Sequence, residues 1–218
     1  MRNITAQPDS ATVQRPTVMG KAWMEEDMPS IQAERLTDGI GSSEAAAVMG
    51  LDVQCSPLDL WHKKMGLLTQ PQVPPEKDDC KVSWEFILEP LVAAVYSKRT
   101  GHRIRRVQKT LQHPQCPWMG AAIRWEVASS YVRHLHCVQV PEHELSGWKT
   151  GVPEAVRVDA MHLLAVTGGQ AVDIAALIGG RTVQIFRIER DEKLIERLTQ
   201  AESVFWGYVE RRQPPLGN

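Results

Sequence analysis

Cysteine is scarce, 4 in 218 residues, and Cys55, Cys80, Cys116 and Cys137 stand far apart at no metal-ligand spacing. That excludes a disulfide framework and a zinc ribbon and argues for reduced, packed thiols. No apolar run approaches the length of a membrane-spanning helix, and the N-terminus lacks the apolar core of a secretory leader, so a cytoplasmic protein is expected. Neither sign of charge is in excess: 25 Lys and Arg against 26 Asp and Glu leave a formal net charge of −1. With no global basic field, any nucleic-acid site must be a local patch on a near-neutral protein.

What is present is an ordinary globular composition, 43% hydrophobic and 23% charged, enough for one domain with a sizeable core. Residues 1–29 are polar and contain proline with little periodicity, and read as an N-terminal arm; residues 30–218 read as the single domain. Within it, Ser43 opens an Ala-rich helix that stops at Gly50, and Ser56-Pro57 opens another with Leu58, Leu60, Trp61 and Met65 on its inner side. His62, Lys63 and Lys64 on that helix are either solvated or in contact with a polyanion. Residues 69–79 are a loop by composition. A long helix is predicted over 82–100 despite Pro90, closed by Gly101, with Glu85 and Glu89 one turn apart on one face. Arg103, Arg105, Arg106 and Lys109 alternate with apolar residues as a strand with one cationic face, the best basic patch in the chain. Residues 140–152 read as a surface loop. A helix over 153–166 turns Val158, Met161, His162, Leu164 and Ala165 inward, strands follow at 173–178 and 183–188, and an amphipathic helix ends the chain near Pro214.

The centre of the sequence is Pro117–Val140. Ile123–Val127 and His134–Val140 alternate as strands, and Ser129-Ser130 suits the turn between them, so the stretch reads as a β-hairpin. Arg124 and Glu126 then share a face of the first strand, and His134, His136 and Val138 share a face of the second.

Together with SWEFILEP (Ser83–Pro90), SPLDLWHKKMG (Ser56–Gly66) and VRVDAMHLLAVTG (Val156–Gly168), this hairpin resembles the YqaJ-type viral recombinases, relatives of the lambda exonuclease. The resemblance implies a restriction-endonuclease-like α/β fold, a central twisted mixed sheet flanked by helices. It also implies a Mg2+-dependent exonuclease that trims linear double-stranded DNA from a phosphorylated 5′ end in the 5′-to-3′ direction. The family works in homologous recombination as a homotrimer beside a single-strand annealing protein. Its metal centre is a glutamate ahead of a helix, an aspartate in the first hairpin strand and a glutamate-x-lysine in the second. Carboxylate oxygens suit a hard cation, and the lysine orients or activates water at the phosphate.

On this resemblance the first glutamate is Glu89, but the aspartate position holds Arg124, the second glutamate His136 and the lysine Val138. Arg35 and Ser43 correspond to the residues that hold the DNA 5′-phosphate, although Ser43 could equally serve only as a helix cap. Asp159 stands where the family has glutamine, and His162 matches the family's histidine. A guanidinium at the cation position repels Mg2+ by several kcal/mol at about 4 Å and an effective dielectric near 20. The expectation is therefore the nuclease fold with nuclease activity absent or severely reduced. The competing reading is a scaffold or engineered variant with a refitted pocket. Trp125, Glu126, His134, Asp159 and His162 would line that pocket, and His134, His136 and Asp159 could hold zinc or nickel.

Overall fold

The computed structural model describes residues 39–67 and 84–215, with the side chains of 84–86 left aside. The expected N-terminal arm, Arg35, Cys80 and the composition-predicted loop lie outside the described residues. Those described form a six-stranded mixed sheet with helices on both faces. In chain order they are β1 (Ile40–Gly41), a 3-10 turn (Ser42–Glu44), α1 (Ala45–Val48), α2 (Pro57–Lys64), α3 (Trp84–Thr100), β2 (Ile104–Gln112), β3 (Met119–Val127) and β4 (Arg133–Val140). A second 3-10 turn (Glu142–Trp148), α4 (Glu154–Thr167), β5 (Ala171–Ile178), β6 (Thr182–Glu189) and α5 (Glu192–Glu210) follow.

Local chemistry explains most element ends. Ser56 and Asp59 cap α2 reciprocally, each side chain accepting the other's backbone N–H, with Pro57 at the first helical position. Asp191 caps α5 by accepting the amides of Lys193 and Leu194. Gly101, at φ +72°, ends α3 in the left-handed conformation that glycine adopts without steric cost. Pro90 lies inside α3 without ending it. Leu58, expected on the inner side of α2, is 37% exposed, whereas Leu60 and Trp61 are buried. The expected loop after β4 contains an ordered 3-10 turn that buries Trp148.

The sheet order is β1-β3-β4-β5-β6, with β2 also on β3. The topology around β3 positions everything that follows. β2 runs antiparallel along one edge of β3, from Ile104↔Val127 to Gln112↔Gly120. A strand has only two edges for pairing, so β1 and β4 share the other. β1 takes one end in parallel at Met119 and Gly120; β4 takes the opposite end, at Trp125↔Leu135 and Glu126↔His134. Between these two short ladders lie Ala121 to Arg124. The predicted hairpin thus exists, but its two strands separate one pair beyond its neck. β4 then continues in parallel with β5 along its whole length, from Arg133↔Ala171 to Val140↔Ile178.

Two apolar cores cover the two faces. On one, α4 and α5 pack Val158, Met161, Leu164, Leu194 and Leu198 against Val140, Val172, Ile174 and Ala176. On the other, α3 packs Val92, Ala93 and Tyr96 against Val127, Leu135, Ala175 and Val183. Burying a Leu or Ile side chain contributes about 1.5–3 kcal/mol each, so both layers hold the sheet firmly. β2 does not present the single cationic face expected. Its pairing with β3 slips between Arg106 and Lys109, where Gln108 takes a positive φ of 44°. Such a bulge breaks the two-residue alternation. Arg105 sits opposite Glu126 and Arg106 opposite Trp125, so the two arginines point to opposite faces.

Candidate functional site

Glu89 lies in the second turn of α3, and the helix carries it to the point where β3 and β4 part. Its Oε2 accepts a hydrogen bond from Arg124 Nη1 at 2.6 Å, and its Oε1 accepts one from the Trp125 indole Nε1–H at 2.9 Å. Both carboxylate oxygens are therefore engaged. The Arg124 side chain is 45% exposed and Glu89 13%, so the pair sits at the mouth of the gap between the strands. Arg106 lies over the Trp125 ring, 6.0 Å from its centroid, and brings a second guanidinium to the same face. Desolvation lowers the pKa of the His136 imidazole; of the nearby charges, Glu89 favours its protonation and Arg124 opposes it.

Of the four positions expected to carry metal chemistry, the fold brings Glu89 and Arg124 into contact and His136 within electrostatic reach. Val138 it does not bring there. Alternation along β4 puts Leu135 and Cys137 against the α3 core, whereas Val138 packs into the core under α4 and α5. The β4 side chains directed to Glu89's side of the sheet are therefore Leu135, Cys137 and, by the same alternation, Gln139. Burial pushes the Cys137 thiol up to about 12, and the Glu89 charge adds to the shift, so it stays protonated and unreactive near neutrality. Cys137 and Gln139 were missed by the sequence reading, which named Trp125 as a pocket wall but not as a partner of Glu89.

The refitted pocket does not assemble. Trp125 faces α3 and Glu89. Glu126 is held by the Arg105 guanidinium, whose hydrogen bond keeps its carboxyl below the ordinary range. His134, opposite Glu126, is 2% exposed with neither ring nitrogen hydrogen-bonded, and burial lowers its pKa. Asp159 Oδ1 accepts the Ala46 N–H at 3.2 Å; burial pushes its carboxyl up to about 7, against the lowering effects of that hydrogen bond and of His162. His162 is fully buried between Glu202 Oε1 at 2.7 Å and the Gly120 carbonyl at 2.9 Å. Glu126 stands opposite His134, and Asp159 and His162 act on each other's charge, but each group is engaged in its own structural contacts and Trp125 packs on the α3 side of the sheet. Among the described residues no three His, Cys, Asp or Glu side chains are grouped so as to hold a metal ion, so His134, His136 and Asp159 do not make the zinc or nickel site considered from sequence.

Ser43 is exposed and caps nothing: neither the 3-10 turn nor α1 has a side-chain cap. The turn is stabilised instead by Glu44, whose carboxylate accepts the Gly41 N–H and pairs with Lys63 and Lys64. Those two lysines, read as solvated or DNA-facing, thus serve an internal ion pair. Arg103, Arg105, Arg106 and Lys109 are all exposed.

Comparison with known proteins agrees with this architecture. The model of the YqaJ-like viral recombinase domain matches residues 33–170. A Bacillus subtilis (strain 168) protein, Uncharacterized protein YqaJ, is 32% identical over 173 residues, 77% of this chain and 52% of its own. The chain therefore spans about half the length of that relative. Among solved structures, an alkaline exonuclease (LHK-Exo) from Laribacter hongkongensis superposes with a TM-score of 0.63. It is 23% identical and covers 83% of this chain and 91% of that one. The same enzyme in complex with dAMP gives 0.62, over 81% and 90%. The fold is the restriction-endonuclease-like mixed α/β fold of that alkaline exonuclease, and the chain belongs to the YqaJ-like viral recombinase family.

Proposed function

We propose that this chain binds the ends of linear double-stranded DNA in the manner of its family but does not cut them by divalent-metal chemistry. One observation carries the reading: the Arg124 guanidinium occupies the Glu89 carboxylate at 2.6 Å. A Mg2+ centre needs several oxygen ligands, preferably anionic. Here the available carboxylate is already neutralised by a fixed positive charge and also accepts the Trp125 N–H. Its neighbours on the sheet, Cys137 and Gln139, offer a protonated thiol and an amide, and His136 offers a neutral ring. The residues present do not fit the metal, and no cleavage step is derived through one.

DNA contact rests on the exposed cations in and just before β2. Arg103, Arg106 and Lys109 can neutralise backbone phosphates without reading sequence, and Arg105 can do so from its pair with Glu126. A phosphorylated 5′ end held by Arg35 and Ser43, a homotrimer and a single-strand annealing partner belong to the same proposal. Recombination at DNA ends is the setting it implies.

The test is to incubate a 5′-phosphorylated linear duplex with the protein and Mg2+ or Mn2+, following retention and strand length together. The proposal expects retention with no shortening. Shortening with turnover would contradict the loss of cleavage; absence of retention at low salt would contradict DNA binding.

A further inference from the structure

From the geometry around Glu89 we infer that Arg124 is a built-in replacement for the divalent cation, so that duplex DNA binds at this cleft without any metal. The inference rests on the DNA-binding reading above and goes beyond it by naming how the cleft tolerates a phosphate. The ligand class is the phosphodiester backbone of duplex DNA.

The argument is one of charge. Glu89 is 13% exposed, sits at the mouth of the gap between β3 and β4, and is a full negative charge when ionised. A bare carboxylate there repels an approaching phosphate, and in a partly desolvated cleft that repulsion is poorly screened. A metal-binding cleft removes the conflict by placing a divalent ion between the two anions. In this chain the Arg124 guanidinium, a planar group that stays protonated and offers several N–H donors, stands against the Glu89 carboxylate at 2.6 Å. It neutralises Glu89 without being able to dissociate. Arg106, stacked over Trp125 on the same face, then tips the local sum of Glu89, Arg124 and Arg106 to +1. Trp125 fixes the arrangement, since its indole N–H holds the other Glu89 oxygen and its ring carries Arg106.

Arg124 thus acts as a binding and positioning group with a specific electrostatic task. Removing it leaves Glu89 uncompensated, and a divalent cation should then be needed to restore affinity. Removing Glu89 as well deletes the repulsion at its source.

The experiment is fluorescence anisotropy of a short labelled blunt duplex, titrated with protein in EDTA and again in Mg2+, at fixed ionic strength. The parent is expected to bind equally in both. Arg124→Gln is expected to lose about tenfold or more in EDTA and to recover part of it in Mg2+. Glu89→Gln/Arg124→Gln is expected to bind in EDTA better than the single variant, with circular dichroism and Tm checking that each folds. If the parent binds only with Mg2+, the inference is overturned while DNA binding stands. If Arg124→Gln binds like the parent in EDTA, the inference is likewise overturned. If the parent binds in neither buffer, the DNA-binding reading itself falls, and the inference with it.

Discussion

Glu89 and Arg124, 35 residues apart in the chain, meet at 2.6 Å across the gap between α3 and β3. The pair is half-exposed on the arginine side, so its contribution to stability is small, about 1 kcal/mol or less. Arg124→Gln should therefore shift the urea midpoint only slightly while changing DNA binding strongly. A large loss of stability would mean that the pair is chiefly a structural clamp.

The buried pair of His162 and Glu202 is a different case. Both side chains are fully buried, and the histidine also meets the Gly120 carbonyl, tying α4 to α5 and to β3. Burial opposes the charge on His162, but the Glu202 hydrogen bond and charge outweigh it and hold its pKa above the ordinary value. Glu202→Ala should cost about 3–5 kcal/mol, read from chemical denaturation near pH 6. A cost under about 1 kcal/mol would contradict the ion-pair description.

Asp159 gives a pH dependence whose sign can be worked out. Its carboxyl is raised from an ordinary 3.8 to about 7, so the folded state holds its proton more tightly than the unfolded chain. Stability must then fall as pH rises from about 4 to about 7, and level off above. The groups acting on it are the Ala46 N–H, His162, Asp52 and Glu202. His162, with a raised pKa, adds stability present below about 6.5 that is lost as pH climbs through its folded value. Asp159→Asn keeps an acceptor for the Ala46 N–H but cannot ionise. Relative to the parent it should gain about 2–4 kcal/mol between pH 4.5 and pH 8 at most, less in proportion to solvent screening. Parallel stability profiles for the two proteins would refute the assignment.

The β2 cations make a prediction about salt. Neutralising Arg106 or Lys109 one at a time should weaken DNA binding similarly on any sequence and lower the slope of log K against log salt by about 1 each. Arg105 should matter less, because Glu126 already holds it. Equal effects from Arg105 and Arg106 would contradict the division of β2 between two faces.

How much of this was legible in the sequence follows from the same physics. The hairpin, the Ser56 cap, α4 with its inward His162 and the amphipathic α5 all carry local signals of spacing and capping, and the fold keeps them. The bulge at Gln108 was not legible, because a positive φ at a non-glycine residue is imposed by pairing with β3 rather than by local preference. The facing of β4 was not legible either. It is an inner strand covered on both sides, so Leu135 and Val138 are both apolar on opposite faces and no alternation of polarity marks which one meets α3. Cys137 and Gln139 stand one residue along from His136 and Val138, and a shift of one residue turns every side chain to the other face. The settings of Glu126, Asp159 and His162 are fixed by their partners Arg105, Ala46 and Glu202, all distant in sequence.

The most direct measurement is digestion of a 5′-phosphorylated linear duplex with Mg2+ or Mn2+ by the parent and by two restored variants. Arg124→Asp/Cys137→Glu/Gln139→Lys rebuilds carboxylates and a lysine on the Glu89 side of β4; Arg124→Asp/His136→Glu/Val138→Lys rebuilds them on the other parity. The parent should be inert and the first variant should degrade DNA, with the second inactive because Val138 lies in the core under α4 and α5. If the parent degrades DNA at the rate of the first variant, Arg124 does not displace the metal from Glu89, and the account of this site is wrong.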